Sequence, residues 1–306
     1  MIAPIFMLFS FEQFFDILEM KIRQKNNFEN VDFSLCDALI TLFLNPKERK
    51  NRNVDNVLQL MKKYIPNDIF DSYMTGAQND SCEFFQQMMQ AISLSTNTHI
   101  YDELFGMFFK ITRTCQTCHM STYRLEKYTI FPFSAINEEG TPLTSITEMM
   151  KYLLIDDAKQ ILICDNCNSL LDPKIIDLKQ NRQEHFVKRR IYRFPKLLML
   201  DVKRSNYDSV GHYNSKNNLP IDYYPNLGFP KESFSENIKS NYETYELIST
   251  IHHLGNHSIN GHYINHSLCG KNKKWVRFND EKRAFIPKNE LISNDTKKAF
   301  PNFYMY

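Results

Sequence analysis

Two Cys-x-x-Cys pairs, Cys115-Gln116-Thr117-Cys118 and Cys164-Asp165-Asn166-Cys167, limit how this chain can fold more than any other feature. Each pair is a tight turn that can bite one metal ion with two sulfurs, and zinc accepts four thiolates in a tetrahedral shell. Forty-five residues separate the pairs, so a shared ion requires two turn tips distant in sequence to meet. A four-sulfur shell leaves no open position, which makes such an ion structural. The alternative is two reduced, metal-free hairpin tips. Residues 107–112 and 128–133 read as strands flanking the first pair, and a short helical segment near 145–155 comes before the second.

The remaining composition sets the context for those thiols. The chain has 306 residues, 42% of them apolar and 13% aromatic, enough for a sizeable core in one large or two small domains. Its 37 basic and 35 acidic residues leave a net charge of +2, so the balance asks for neither nucleic acid nor an anionic membrane as partner. Lys47-Glu48-Arg49-Lys50-Asn51-Arg52 reads as a solvated loop between helices. The apolar start, Met1 to Phe11, has no basic flank or cleavage site and is interrupted by Glu12, Asp16 and Glu19, so it reads as a buried helix. No stretch approaches the ~20 apolar residues of a membrane span. Seven cysteines without an export signal point to a reducing compartment, cytosol or nucleus.

Residues 245–251, 262–268 and 273–278 read as three antiparallel strands, with a turn at Lys271-Asn272-Lys273-Lys274. That turn brings Asn279-Asp280 back beside the start of the strand carrying His262. An imidazole beside an amide or carboxylate is the base-and-orienter half of a nucleophilic triad. Gly261 removes a side chain where the imidazole needs space. On the bare pattern, a lone histidine beside glycine on a strand is more often a surface or packed residue than a catalyst. Five histidines between 252 and 266 raise the thought of a metal hydrolase, but His262 and His266 stand about 13 Å apart at strand rise, too far to share an ion.

Apolar residues recur at helical spacing over 33–44 (Leu35, Ala38, Leu39, Leu42, Phe43) and 54–65 (Val54, Val57, Leu58, Met61, Ile65). A third helix opens at Asn79-Asp80-Ser81-Cys82-Glu83, with Asp80 placed to cap it and Glu83 to return the bond. The first hundred residues are therefore helical. Phe194-Pro195 through Lys203-Arg204 reads as a central strand, 205–244 as a mostly irregular connection, and 289–306 as a frayed tail.

Gly261-His262-Tyr263, then Lys274-Trp275-x-x-Phe278-Asn279-Asp280 with seventeen residues from His262 to Asn279, resembles the histidine box of the ubiquitin-specific proteases. These are papain-like cysteine isopeptidases. Gln78-Asn79-Asp80-Ser81-Cys82-Glu83-Phe84 is similar to that family's Gln-x-Asp-x-x-Glu-Phe box, and Pro195 to Arg204 to its Leu-Lys-Arg-Phe strand, with Ser205 in place of the Phe. The four cysteines match its zinc site. The resemblance covers residues 1–290 and implies an α+β, papain-like hand: helical thumb (1–104), zinc-bearing fingers (105–190), mixed palm with the histidine box (191–290) and a tail (291–306). It implies isopeptide hydrolysis after the C-terminal glycine of ubiquitin, with ubiquitin or ubiquitinated proteins as partners. Catalytic roles fall on His262 as base, Asn279 as orienter and Asp280 as a supporting polar group. Zinc held by Cys115, Cys118, Cys164 and Cys167 is the implied cofactor.

The family's nucleophile has no counterpart. Met1-Ile2-Ala3-Pro4-Ile5-Phe6-Met7-Leu8-Phe9 resembles the residues just after its Cys box, which registers the catalytic cysteine two residues before Met1, along with the oxyanion asparagine. A thiolate is activated at a helix N-terminus, whereas Cys36 falls beside an apolar helical stripe, Cys82 lies mid-motif and Cys269 borders a turn. The expectation is a deubiquitinase lacking its nucleophile in this sequence. The rivals are a non-catalytic ubiquitin-binding scaffold and a zinc-stabilised adaptor in which His262 is only structural.

Overall fold

Apolar stripes at helical spacing build the first third of the chain. A computed structural model describes residues 2–8, 10–23, 31–45, 51–75, 79–137, 140–151, 154–169, 181–207, 213–218, 220–222, 224–257, 260–270, 272–280, 282–287 and 299–306. Its N-terminal part comprises α1 (Ile2–Leu8), α2 (Glu12–Arg23), α3 (Ser34–Leu44), α4 (Asn51–Met61), α5 (Asn67–Met74), α6 (Ser81–Ser95) and α7 (Ile100–Phe105). The helix α1 is apolar on every side and is buried on every side: Ala3, Ile5, Phe6, Met7 and Leu8 are all at most 5% exposed. Pro4 is tolerated because amide protons in a first turn have no intrahelical acceptor. The Asp80 carboxylate caps α6, accepting from the backbone N–H of Cys82 at 2.7 Å and of Glu83 at 3.3 Å.

Strands follow: β1 (Met107–Cys115), β2 (Ser121–Tyr128), β3 (Phe131–Ser134), then α8 (Ile146–Lys151), β4 (Ile155–Ile163), β5 (Arg182–Arg193) and β6 (Met199–Lys203). Beyond them run β7 (Ser205–Tyr207), β8 (Tyr213–Lys216), β9 (Asn226–Pro230), β10 (Tyr242–Glu246), β11 (Ser249–His257), β12 (Asn260–Cys269), β13 (Lys274–Asn279), β14 (Lys282–Phe285) and β15 (Ala299–Met305). One sheet has the order β2-β1-β5-β4 and projects the metal-type turns. The larger has the order β14-β13-β12-β11-β15-β6-β3, antiparallel except for the β3–β6 pair. The three expected strands around the histidine are antiparallel neighbours, although residues 245–251 divide between β10 and β11.

The larger sheet separates two cores. Ile251, Val276, Phe278, Phe303 and Met305 pack with the helices, while Leu200, Val202, Trp275, Tyr304 and Tyr306 pack with Leu227, Phe229 and Phe234 beneath. Alternation along β15 serves both: Phe303 meets Phe85 with ring centroids 5.5 Å apart, and Tyr304 turns the other way.

That alternation corrects the reading of 289–306 as a frayed tail. Residues 288–298 lie outside the described residues, but β15 sits between β11 and β6 in the middle of the sheet. Pro301 breaks the usual strand signature, and the register shift opposite Ile251 and His252 absorbs it. The irregular connection expected over 205–244 also holds ordered structure, the β7–β8 hairpin and the β9–β10 pair.

Candidate functional site

Register brings the histidine box together. Asn265 pairs with Phe278 across β12 and β13, so His262 and Asn279 are diagonal neighbours on one face of the sheet, within reach of long side chains. The His262 Nε2 lies 2.7 Å from Asn279 Oδ1. A carboxamide oxygen only accepts, so the imidazole donates from Nε2 and Nδ1 is left to take or give a proton. Asp280 Oδ2 stands 3.7 Å from the same Nε2, presented from a left-handed residue, φ +50°, that ends β13. The His262 side chain is 40% exposed, open enough to meet a substrate.

Gly261 turns out to make room for a different group from the one expected. A Cβ there would lie 2.3 Å from the Leu254 carbonyl oxygen and 2.5 Å from Nε2 of His253, so the backbone ahead of His262 rests directly on the neighbouring imidazole. Opposite, a Cβ on Gly255, φ +150°, would come within 2.6 Å of the Asn260 carbonyl oxygen. The β11–β12 hairpin carries a bulge at this point.

The helix α1 docks on the same strands. The ring of Phe6 meets that of Phe278 at 4.7 Å, and its carbonyl lies 3.3 Å from Ser267 Oγ. Ser267 Oγ also lies 2.7 Å from Asn265 Oδ1, while Asn265 Nδ2 donates to Ser249 Oγ at 2.8 Å and to the Thr250 carbonyl at 3.1 Å. These groups are fully buried, and a satisfied network fixes the seat of the helix. Met1, at the head of α1, lies outside the described residues.

The seven cysteines divide into three buried or turn-bordering thiols and a cluster of four. Burial pushes the Cys36 thiol up to about 12 and raises that of Cys82 further, so both are inert small hydrophobes in the helical core. Cys269 is seven residues along β12 from His262, about 23 Å at strand rise. The other four converge. Cys115 and Cys167 sulfurs lie 3.7 Å apart, Cys118 and Cys164 3.6 Å, and all four within 4.8 Å of one another. Hydrogen bonds from the Met120 N–H and the Asn166 side chain lower the Cys118 thiol, while burial raises Cys164 and Cys167, so the four crowded sulfurs do not all ionise without a cation between them. The donor set therefore fits a four-thiolate zinc shell, somewhat more open than the ~4 Å spacing of a tight tetrahedron.

A model of the ubiquitin carboxyl-terminal hydrolase family matches residues 3–306. The chain belongs to that family. It is 26% identical over 238 residues to probable ubiquitin carboxyl-terminal hydrolase 9 of Schizosaccharomyces pombe, covering 72% of this chain and 37% of that one. It is 23% identical over 218 residues to ubiquitin carboxyl-terminal hydrolase 9 of Saccharomyces cerevisiae, covering 69% of this chain and 26% of the relative. The chain thus spans about a third of these relatives. Among solved structures, it superposes with a TM-score of 0.74 at 19% identity on the SAGA DUB module of Ubp8, Sgf11, Sus1 and Sgf73 bound to monoubiquitin, covering 99% of this chain and 65% of the matched one. The module bound to ubiquitin aldehyde gives 0.72 at the same identity, covering 99% and 66%. The fold is the one expected, the mixed α/β hand of the ubiquitin-specific proteases with a four-cysteine cluster in a β region.

Several polar contacts around this site are not readable from the sequence pattern. Lys203 lies between Asp201 and Asp80, tying β6 to the cap of α6. Burial raises the Asp201 carboxyl above its ordinary value. Lys216 reaches His253 and Gly255 from β8. Asp80 and Lys203 fall inside sequence motifs, but their ion pair and the Lys216–His253 contact form only when elements distant in sequence pack together. Among the described residues, no helix is long and apolar enough to cross a membrane.

Proposed function

We propose that this chain is the ubiquitin-binding, base-bearing body of a thiol-dependent deubiquitinase that hydrolyses the isopeptide bond after the C-terminal glycine of ubiquitin. The supporting observation is the His262–Asn279 hydrogen bond of 2.7 Å in a chain of this family. His262 exchanges the proton at Nδ1, Asn279 holds the tautomer, and Asp280 adds a polar partner at Nε2. A thiolate attacks the scissile carbonyl, the lysine amine leaves with a proton from His262, the glycine acyl group stays on sulfur as a thioester, and water then cleaves that thioester to release ubiquitin and restore the thiol. Cys36 and Cys82 are buried with raised thiols, Cys269 stands far along β12 and the other four cluster together, which supports placing the thiolate in sequence ahead of α1, at the position the Cys-box resemblance registers. Zinc on Cys115, Cys118, Cys164 and Cys167 would hold the two turn tips of the fingers together as a structural ion. Thiolates kept for metal suit a reducing compartment, cytosol or nucleus.

The test uses this chain and the same chain preceded by Asn-Thr-Cys-Tyr. Both should bind ubiquitin. The unextended chain should cleave a ubiquitin amide reporter no faster than its His262→Ala variant, whereas the extended one should turn over and lose activity with His262→Ala. Asn279→Ala should cost less, because it orients the imidazole without exchanging the proton. Turnover by the unextended chain that vanishes in Cys36→Ala would overturn the assignment. An extended chain that binds ubiquitin yet stays inactive would mark a non-catalytic ubiquitin-binding module.

A further inference from the structure

We propose that Lys216 is a positioning residue for His262, acting through the imidazole of His253. The Lys216 ammonium donates to His253 Nδ1 at 2.6 Å, to the Gly255 carbonyl at 2.7 Å and to the His253 carbonyl at 3.3 Å. Three donors thus meet three acceptors, all near the bulged end of β11. Because an ammonium cannot accept, His253 must present Nδ1 as a lone pair and carry its proton on Nε2. That Nε2 finds no partner among the described residues, although His253 is 1% exposed. A buried N–H without an acceptor is costly, and something must hold the ring in place. The clamp does so.

The held ring is the floor of the catalytic turn. Gly261 is packed so closely on His253 Nε2 and the Leu254 carbonyl that a single added carbon has no room, and His262 is the next residue. Leu254 pairs with His262 and His253 with Tyr263, whose ring lies 4.8 Å from the imidazole. A shift of the His253 ring therefore moves the backbone that aims His262 at Asn279. Burial, with the Lys216 charge adding to it, holds His253 down at about 4, so the ring stays neutral. Burial and the charge of Arg204 bring Lys216 down to about 8.

The inference rests on the reading of His262 and Asn279 as base and orienter, yet its test needs no turnover. Ring-nitrogen NMR of the histidines in the full chain at pH 7 should show His253 neutral, and both His253 and His262 protonated at Nε2. In Lys216→Met, His253 should become a tautomer mixture titrating closer to 6.5, and His262 should lose its single Nε2–H state. A second measurement uses the unaltered protein, in case that variant does not fold. Arg204 keeps its charge, carboxylates lie outside the alkaline range, and the Tyr263 hydroxyl and Lys203 are both raised. Between pH 7 and 10, Lys216 is therefore the group that titrates among those facing His253 and His262. The His262 ring signals should shift over that interval, and should not do so in Lys216→Arg. In the extended chain, Lys216→Met should lower kcat about tenfold with KM unchanged. His262 signals indifferent to both Lys216→Met and the pH interval would overturn the clamp. Inactivity of the extended chain with these signals as expected would overturn only the hydrolase reading.

Discussion

Removing one sulfur from the four-cysteine cluster tests the proposed metal site most directly. Tetrahedral ligation at a Zn–S bond of ~2.3 Å places neighbouring sulfurs ~3.8 Å apart. Two sulfur pairs already stand at 3.7 and 3.6 Å, and none of the four is more than 4.8 Å from another. Loading therefore asks the most distant pair to close by no more than about 1 Å. Zinc-finger peptides hold their ion with an apparent ~10–16 kcal/mol near neutral pH. An equal share per thiolate is ~2.5–4 kcal/mol, so Cys118→Ala should weaken zinc binding roughly 10²–10³-fold. Cys118 is the right ligand to remove because it sits at a partly exposed turn, whereas Cys115 is fully buried. Metal analysis of reduced protein should give one zinc per chain, X-ray absorption should give four sulfurs and no nitrogen or oxygen, and competition with a chromophoric chelator should report the affinity loss. Protein without zinc, or a Cys118→Ala variant that binds as tightly as the parent, would refute the shared-ion argument.

Three further outcomes follow from the packing. Gly261→Ala should destabilise the chain by ~1–3 kcal/mol, the cost of overpacking against backbone, measured by urea unfolding; an unchanged midpoint would mean that the β11–β12 hairpin yields freely. Asp80→Ala should cost ~0.5–2 kcal/mol through loss of the α6 cap, and Asp80→Asn should recover most of it. Hydrogen bonds from Ser34 and Lys63 hold the Asp32 carboxyl well below its ordinary value of 3.8, so its contribution is present above pH 3.8 and is lost as pH falls through the lower folded value. The stability gap between the parent and Asp32→Asn should accordingly shrink from pH 5 to pH 2, and a pH-independent gap would sink that assignment.

What sequence determined here is the set of local groups. Helical spacing announced α3 and α4, Asp80 announced the start of α6, and Cys-x-x-Cys turns announced two bites on a metal, because each signal is complete within a few neighbouring residues. The His262–Asn279 pair was also legible, since a strand, a short turn and a return strand define its register locally. The place of residues 299–305 was not. Their strand has no partner nearby in sequence, and only the gap between β11 and β6 explains why Phe303 and Tyr304 are completely buried. The network of Ser249, Asn265 and Ser267 beneath α1 escaped for the same reason, being polar residues in a run that alternation alone cannot tell from a solvated face. Lys216 is the sharpest case. Its neighbours in sequence say nothing of a histidine thirty-seven residues away, and it acquired that partner when tertiary packing laid the β7–β8 hairpin against the end of β11, where burial turned an ordinary surface cation into a three-fold donor.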